Sequence, residues 1–410
     1  MKMNAIVAGV GMTTFGKHTA RSLKSLAGEA IAAALADAGL SSADIQAAYM
    51  GNAAAGTITG QVCIPGEVVL REMGIGGIPV INVENACATA STALNQAATM
   101  VTFGAYDIVL ACGYEKLTHP DKAKTFCVFS GAVDVLAMDE LRQQIDAKMA
   151  AVGMEVDPET AASRSLFMDI YATEAIGHMQ KYGTTREQLA AVPAKNSKFG
   201  ALNPRAQFCD VVSVEDVLAS REIIWPLTLP MCSPIGDGAA AVILISERKA
   251  RELGLVDPVR IMASTLQSSW DYPAGEESLV FYKAVAQTYE DAGVGPEDLD
   301  VVELHDASAS SEILHTEYLG LCAPGEGGRL VESGATGPGG RIIVNPSGGL
   351  LRKGHPIGAT GIAQIVELTE QLQGRSGARQ TAGARIGLAE NGGGYINGDV
   401  AALCVTILKR

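Results

Sequence analysis

The chain has 410 residues, 48% of them hydrophobic, and a net charge of -14. That charge argues against nucleic acid and against an anionic membrane surface as partners, since both repel an acidic protein, and no apolar run reaches transmembrane length. The eight cysteines, at 63, 87, 112, 127, 209, 232, 322 and 404, form no CxxC pair, so a zinc motif, a redox motif and a disulfide framework are all unsupported and a reducing cytoplasm is the expected compartment. The opening MKMNAIVAGVGMTTFG is too short in its apolar part for a signal peptide. Gly9, Gly11 and Gly16 do not space as GxGxxG, which removes a dinucleotide fingerprint.

Residues 30–53 (AIAAALADAGLSSADIQAAYMGNA) align without a gap on residues 284–307 (AVAQTYEDAGVGPEDLDVVELHDA), at an offset of 254. Ala30, Ala32, Asp37, Ala38, Gly39, Asp44 and Ala53 match their counterparts. Each copy reads as a helix, a Gly turn, an acidic capping stretch and a strand. Both halves then pass to an apolar strand ending in Asn82 or Asn345, a Gly/Ala-rich helix, and a closing strand (GDGAAAVILIS, GDVAALCVTIL). Two related α/β halves are expected: 1–114 completed by 226–255, and 256–410, with an inserted region at 115–225. Within the insert, residues 181–205 carry Lys181, Arg186, Lys195, Lys198 and Arg205 against only Glu187. This basic island reads either as a solvated helix face or as a lid meeting a phosphorylated ligand.

Four stretches carry chemistry. Cys87 lies where an apolar strand gives way to a small-residue helix, with Asn85 as a candidate cap. A helix N-terminus lowers a thiol's pKa, and small neighbours leave room for an electrophile; a buried structural cysteine is the plain alternative. His355 lies in VNPSGGLLRKGHPIGATG, fixed between Gly354 and Pro356 as a catalytic base must be fixed. His305 follows an apolar strand in DVVELHDASAS and takes the place that Gly51 has in the first repeat. In the glycine-rich stretch 387–399, Gly392, Gly393 and Gly394 let backbone N–H groups approach a ligand.

The motifs ENACATAS, HDA, NPSGGLLRKGHPIGATG and NGGG, with MCSPIGDGAAAVIL before the second half, resemble the motif loops of the thiolase superfamily over nearly the whole chain. The HD motif is similar to sterol-carrier-protein-type and archaeal thiolases of the acetyl-CoA acetyltransferase kind. The ENGGG ending resembles thiolases for bulky acyl chains, including benzoylsuccinyl-CoA thiolases. The resemblance implies a five-layered αβαβα fold of two halves, each with a mixed sheet, and a homodimer core. It implies coenzyme A as co-substrate, with no bound cofactor or metal, and a small zinc-ribbon/OB-fold partner. By position, Cys87 would be acylated, His355 would activate it, and His305 would stabilise an enolate. The N–H groups of Cys87 and of Gly392 or Gly393 would form an oxyanion hole. Lys195, Lys198 and Arg205 would meet the CoA phosphates. Members of the family use a further acid/base cysteine, but its two known places here read Glu390 and Ala307. Glu390 is the candidate proton shuttle if burial raises its pKa toward neutrality. The implied reaction is cleavage of a 3-oxoacyl-CoA, or the reverse Claisen condensation. A ketoacyl-synthase-like condensation, a retro-aldol cleavage and a non-catalytic CoA-binding subunit are the alternatives.

Overall fold

The structure is a computed structural model that describes residues 1–154, 161, 164–273 and 279–410. Its strands are β1 (Ile6–Met12), β2 (Ala47–Gly51), β3 (Val80–Val83), β4 (Ile108–Glu115), β5 (Glu222–Ile224), β6 (Leu227–Thr228), β7 (Gly238–Ile245), β8 (Arg260–Ser268), β9 (Val301–Glu303), β10 (Ile343–Val344), β11 (Ile386–Ile396) and β12 (Asp399–Lys409). The helices that bear on the site are α1 (Leu23–Ala38), α2 (Thr89–Thr102), α3 (Leu166–Tyr182), α4 (Arg186–Gly200), α5 (Leu279–Ala292), α6 (Ala309–Tyr318) and α7 (Thr360–Gln373).

Ten strands form one sheet in the order β10-β9-β11-β12-β8-β1-β7-β4-β2-β3. The order is a duplication. Within each half the strands lie third, second, fourth, fifth, first, with parallel pairs among the first three positions and antiparallel pairs at the last two. The halves meet at β1 and β8, where Ile6 faces Arg260 and the Ile261 N–H donates to the Ala5 carbonyl at 2.9 Å. The aligned segments also share their turn chemistry. Gly39 ends α1 at φ 63° and Gly293 follows α5 at φ 68°, a left-handed conformation that glycine adopts without a Cβ penalty.

The layers follow from which faces are apolar. Helices α2 and α7 lie in a core with Val7, Val109, Ala111 and Val242 of one half and Val301, Ile343, Ala389 and Leu408 of the other. The alternate residues of β4 and β7, such as Leu110 and Ile243, face α1 instead, and those of β9 and β12 face α5. The result is α, β, α, β, α. Strand β7 (GAAAVILI) is buried along its whole length, as expected of a strand covered by helices on both faces.

The central layer is packed backbone to backbone. A Cβ on Gly361 would lie 1.9 Å from Ser91 Oγ and 2.6 Å from the Ser91 nitrogen. A Cβ on Gly113 would lie 2.4 Å from the Gly358 carbonyl oxygen, and one on Gly393 2.3 Å from that of Asn85. These glycines bring the turn before α2, the loop before α7 and strand β11 to one place.

Buried charges pin the loop that carries His355. Lys353, 1% exposed, pairs with Glu303 at 3.1 Å, and Glu303 also accepts from the Ser347 N–H and hydroxyl. Asp306 accepts from the Leu350 N–H at 2.7 Å and from Asn196 at 2.8 Å. Glu312 accepts from Asn345 at 2.9 Å and pairs with Lys195 at 2.6 Å, while the Lys195 ammonium also donates to the Val344 carbonyl. Helix α4 is therefore mostly buried rather than a solvated basic face. Lys195 stabilises the loop from inside. Arg205 forms a two-pronged pair with Glu370 of α7, and of the three proposed phosphate ligands Lys198 alone is exposed. This corrects the assignment of Lys195 and Arg205 to a phosphate-binding surface: their charges already have buried or half-buried protein partners.

The 115–225 stretch contributes Val133, Met149, Phe167, Ile170 and Leu189 to an apolar cluster that Ala309, Ile313, Val331 and Leu351 of the second half complete. Met138, Met154, Met168 and Met179 pack against that cluster. Val135 and Leu136, 61% and 95% exposed, are the large apolar side chains that this segment turns outward most.

Two measurements test this packing. Gly361→Ala should cost about 1–3 kcal/mol through overpacking, whereas Gly28→Ala, a helix position whose added Cβ meets only the Met73 sulfur at 3.9 Å, should stabilise by about 0.5–1 kcal/mol. Denaturant unfolding of both variants gives the comparison, and equal effects would remove the close-packing argument. Lys195→Met should lose about 3–5 kcal/mol by stranding Glu312 in the core. A surface phosphate ligand would behave oppositely, with unfolding unchanged.

Candidate active site

The fold gathers three residues that are far apart in sequence. The Cys87 sulfur and one ring nitrogen each of His305 and His355 lie within 4.8 Å of one another, all buried. The two Nε2 atoms are 3.5 Å apart. Cys87 sits in a single 3-10 turn, Ala86–Ala88, ahead of α2. The Asn85 side chain does not cap that turn but donates to Thr92 Oγ1 at 3.0 Å. Ala86 has φ 48°, an uncommon conformation for a residue with a Cβ, which turns the thiol away from the strand direction. His305 follows β9 directly, and His355 precedes α7.

Hydrogen bonds set the imidazole tautomer. The Thr360 hydroxyl donates to the Pro356 carbonyl at 3.1 Å and so accepts from His355 Nδ1–H at 2.7 Å. His355 therefore keeps its lone pair on Nε2, the atom 3.5 Å from His305 Nε2. Burial, reinforced by His305 and Lys353, holds His355 well below the usual histidine range. Burial also lowers His305, to about 4, against the pull of Glu390.

The thiol departs from the sequence expectation. Burial pushes Cys87 up to about 12, with Glu115 and Glu84 adding to the shift and its own backbone N–H opposing it. Dehydration of a thiolate outweighs the one short turn of aligned N–H groups beneath it. Burial thus disfavours a charge on the thiol and on both imidazoles.

Glu390 is in strand β11, opposite Val405, rather than in a loop, and it is fully buried. Its Oε2 accepts from the His305 N–H at 3.0 Å and meets His315 Nδ1 at 2.8 Å. Burial raises its pKa, but His315 and His305 outweigh that, and the carboxyl ends below the usual range. The expected rise toward neutrality is therefore corrected. Glu390 Oε1 has no hydrogen-bond partner. Gly392 and Gly393 continue the strand beside the Cys87 turn, with a Cβ on Gly392 coming within 3.7 Å of His305 Nδ1.

The centre opens into a cavity of 720 Å³. Its walls include Phe167, Tyr171, Tyr182, Phe281, Tyr282, Tyr318 and Tyr395, with Lys148 and Lys181 among them. Lys195, Lys198 and Arg205 do not line it. Burial raises two carboxyl groups in these walls, Glu174 to about 7 and Asp399 to about 6. Sequence reasoning missed Tyr171, Glu174, His315, Asp399 and Lys148. His315 had one usable signal: it lies on the helix that Ser308 caps directly after the HD motif.

The comparisons with known proteins agree with this geometry. The thiolase N-terminal domain model matches residues 5–221, and the thiolase C-terminal domain-like model matches 275–409. An acetyl-CoA acetyltransferase of Methanothermobacter thermautotrophicus is 39% identical over 95% of this chain and 96% of its own. Human sterol carrier protein 2 is 37% identical over 98% of this chain and 71% of its own, and the benzoylsuccinyl-CoA thiolase subunit BbsB of Thauera aromatica is 34% identical over 91% and 90%. Among solved structures, the Ltp2-ChsH2(DUF35) aldolase superposes with a TM-score of 0.76 at 25% identity, covering 99% of this chain and 98% of that one. Human mitochondrial 3-ketoacyl-CoA thiolase in complex with CoA has the same fold, with a TM-score of 0.70 at 16% identity over 99% and 98%. With both family models matched and the duplicated fold in place, the chain belongs to the thiolase family of acyltransferases.

Proposed function

We propose that the protein cleaves a 3-oxoacyl-CoA, or runs the reverse Claisen condensation, through an acyl group on Cys87. The observation that carries this reading is the buried Cys87–His305–His355 cluster, with the His355 lone pair on Nε2. As the sulfur attacks the keto carbon, His355 takes its proton. The C–C bond then breaks, and the electron pair passes to the acyl-CoA as an enolate. His305 and the protonated His355 donate to the enolate oxygen. The backbone N–H groups of Cys87 and of Gly392 or Gly393 serve the acyl oxygen. After the enolate is protonated at carbon, the CoA thiol attacks the acyl-cysteine and releases the second thioester.

Glu390 is the proposed acid/base at that carbon. Its lowered pKa makes it a carboxylate at neutral pH, the form that abstracts the acyl-CoA Cα proton in the condensation direction. In cleavage it must first gain a proton. The partnerless Oε1 is the oxygen available for this exchange.

The aromatic walls of the 720 Å³ cavity favour a bulky or aromatic acyl group, and the relative BbsB is named as a benzoylsuccinyl-CoA thiolase subunit. We also propose a homodimer, for which the edge position of β3 gives a surface, and a small zinc-ribbon/OB-fold partner. A subunit name in one relative and the complex ChsH2(DUF35) in one structural neighbour support the partner, and Leu136 offers it an apolar contact. A cytoplasmic location fits the unpaired cysteines, and no described helix is long and apolar enough to cross a membrane. The neighbour named as an aldolase supports retro-aldol cleavage as a second reading. Cys87, held beside a base, favours acyl transfer over it.

The pH dependence of Cys87 alkylation separates an assisted thiol from an ordinary one. His355 is neutral from pH 6 to 9 because its pKa is held low, so the wild-type rate should be flat over that range. Removing the base in His355→Ala leaves only free thiolate, which rises about tenfold per pH unit below a pKa near 12. Turnover should fall by about 10²–10⁴ in the same variant. Parallel pH profiles for the two proteins would exclude His355 as the base.

Glu390→Gln preserves an acceptor for the His305 N–H and His315 but cannot carry the proton. This variant should still form acyl-Cys87, seen by mass spectrometry, and lose exchange of acyl-CoA Cα protons with deuterated water. Exchange at the wild-type rate would transfer the role to another group of the site.

A further inference from the structure

We propose that Cys87, His305 and His355 also form a binding site for one thiophilic divalent ion, Zn(II) as the leading case, which holds the protein in a reversibly inhibited state. The donor set is one sulfur and two imidazole nitrogens, the chemistry that zinc prefers. With metal–nitrogen bonds of about 2.0–2.1 Å and a metal–sulfur bond of about 2.3 Å, tetrahedral angles place such donors about 3.3–3.6 Å apart. The two Nε2 atoms are 3.5 Å apart, and no pair among the three donors exceeds 4.8 Å. Small side-chain rotations therefore close the site without moving the backbone.

Two further features suit an ion. His355 is oriented through Nδ1 by Thr360, the arrangement that directs Nε2 at a metal. The charge also balances. Binding releases the Cys87 proton to solvent and forms a sulfur–metal bond, so a thiolate, two neutral rings and a divalent ion leave one positive charge. The buried Glu390 carboxylate, which holds the His305 N–H and has a partnerless Oε1, neutralises it. Cys87 and His305 line the cavity, from which a water or an incoming thiol would supply a fourth ligand. No local spacing reveals this site, because its donors come from three separate loops. It rests on donor geometry alone and does not depend on the acyl-transfer reading.

The test is a Co(II) titration of the full chain after treatment with a chelator. At one equivalent and micromolar protein, we expect a sulfur-to-cobalt charge-transfer band with the intense visible absorption of four-coordinate cobalt. Zn(II) should bleach both bands, and a chelator should restore the thiol's reactivity. Cys87→Ser should lose the charge-transfer band. His305→Ala should weaken Co(II) binding by about 100-fold or more, the upper end of what loss of a mere orienting partner costs. The variant Cys63→Ser/Cys127→Ser/Cys209→Ser, which removes the exposed thiols, should keep the band and its stoichiometry. Wild-type protein alkylated at Cys87 provides a folded control and should show no band. The proposal is overturned if the band survives in Cys87→Ser or in alkylated protein, disappears in the surface-thiol variant, or never forms at one equivalent in the wild type. These readouts are absorbances, so they stand whether or not the protein cleaves any acyl-CoA.

Discussion

The site depends on how closely three backbone segments approach one another. Gly393 of β11 lies against the turn of Cys87, Gly361 of α7 lies against Ser91 of α2, and Gly113 of β4 lies against Gly358. Each contact is shorter than a side chain permits, so the sulfur and the two imidazoles meet only because these positions lack a Cβ. Interiors at this density transmit displacement rather than absorb it. A methyl group at the seam would shift a loop of the cysteine–histidine cluster. Buried carboxyl groups act on the same loops, with Glu303, Asp306 and Glu312 accepting hydrogen bonds that hold residues 345–353 in place.

Burial explains the electrostatics of the centre more than any single neighbour does. It pushes the thiol up and both imidazoles down, so charge on the cluster is disfavoured. In the proposed reaction, charge would appear only once a ligand has entered, and preorganised donors would then favour the transition state because they need no reorganisation. Glu390 departs from the pattern. Two histidines stabilise its ionised form and overcome the burial that would otherwise neutralise it.

Much of the fold was legible because duplication leaves a local signature. The helix, Gly turn and strand at 30–53 and 284–307 recur as α1 to β2 and α5 to β9. Cys87, His305 and His355 were legible because each sits in a loop of small or rigid residues. What failed were inferences about charge and environment. Lys195 and Lys198 are three residues apart in one basic run, yet one is buried against Glu312 and the other faces solvent. The partner that decides this lies more than a hundred positions away. Glu390 looked like a loop residue among glycines, but pairing with β12 buries it. Tyr171, Glu174 and Asp399 carry no motif, and only the fold places them around the cavity.

The central position of β1 bears on how the chain is made. This strand precedes in the chain both of its neighbours in the sheet, β7 and β8, the first of which begins at residue 238. Until those residues have been translated, both edges of a short apolar strand remain open, covered at most by the helix that follows it. Assembly must therefore wait on contacts of large sequence separation, which slow folding and prolong exposure of apolar strand edges. A ribosome stalled before residue 238 would hold a chain with no place to put its first strand.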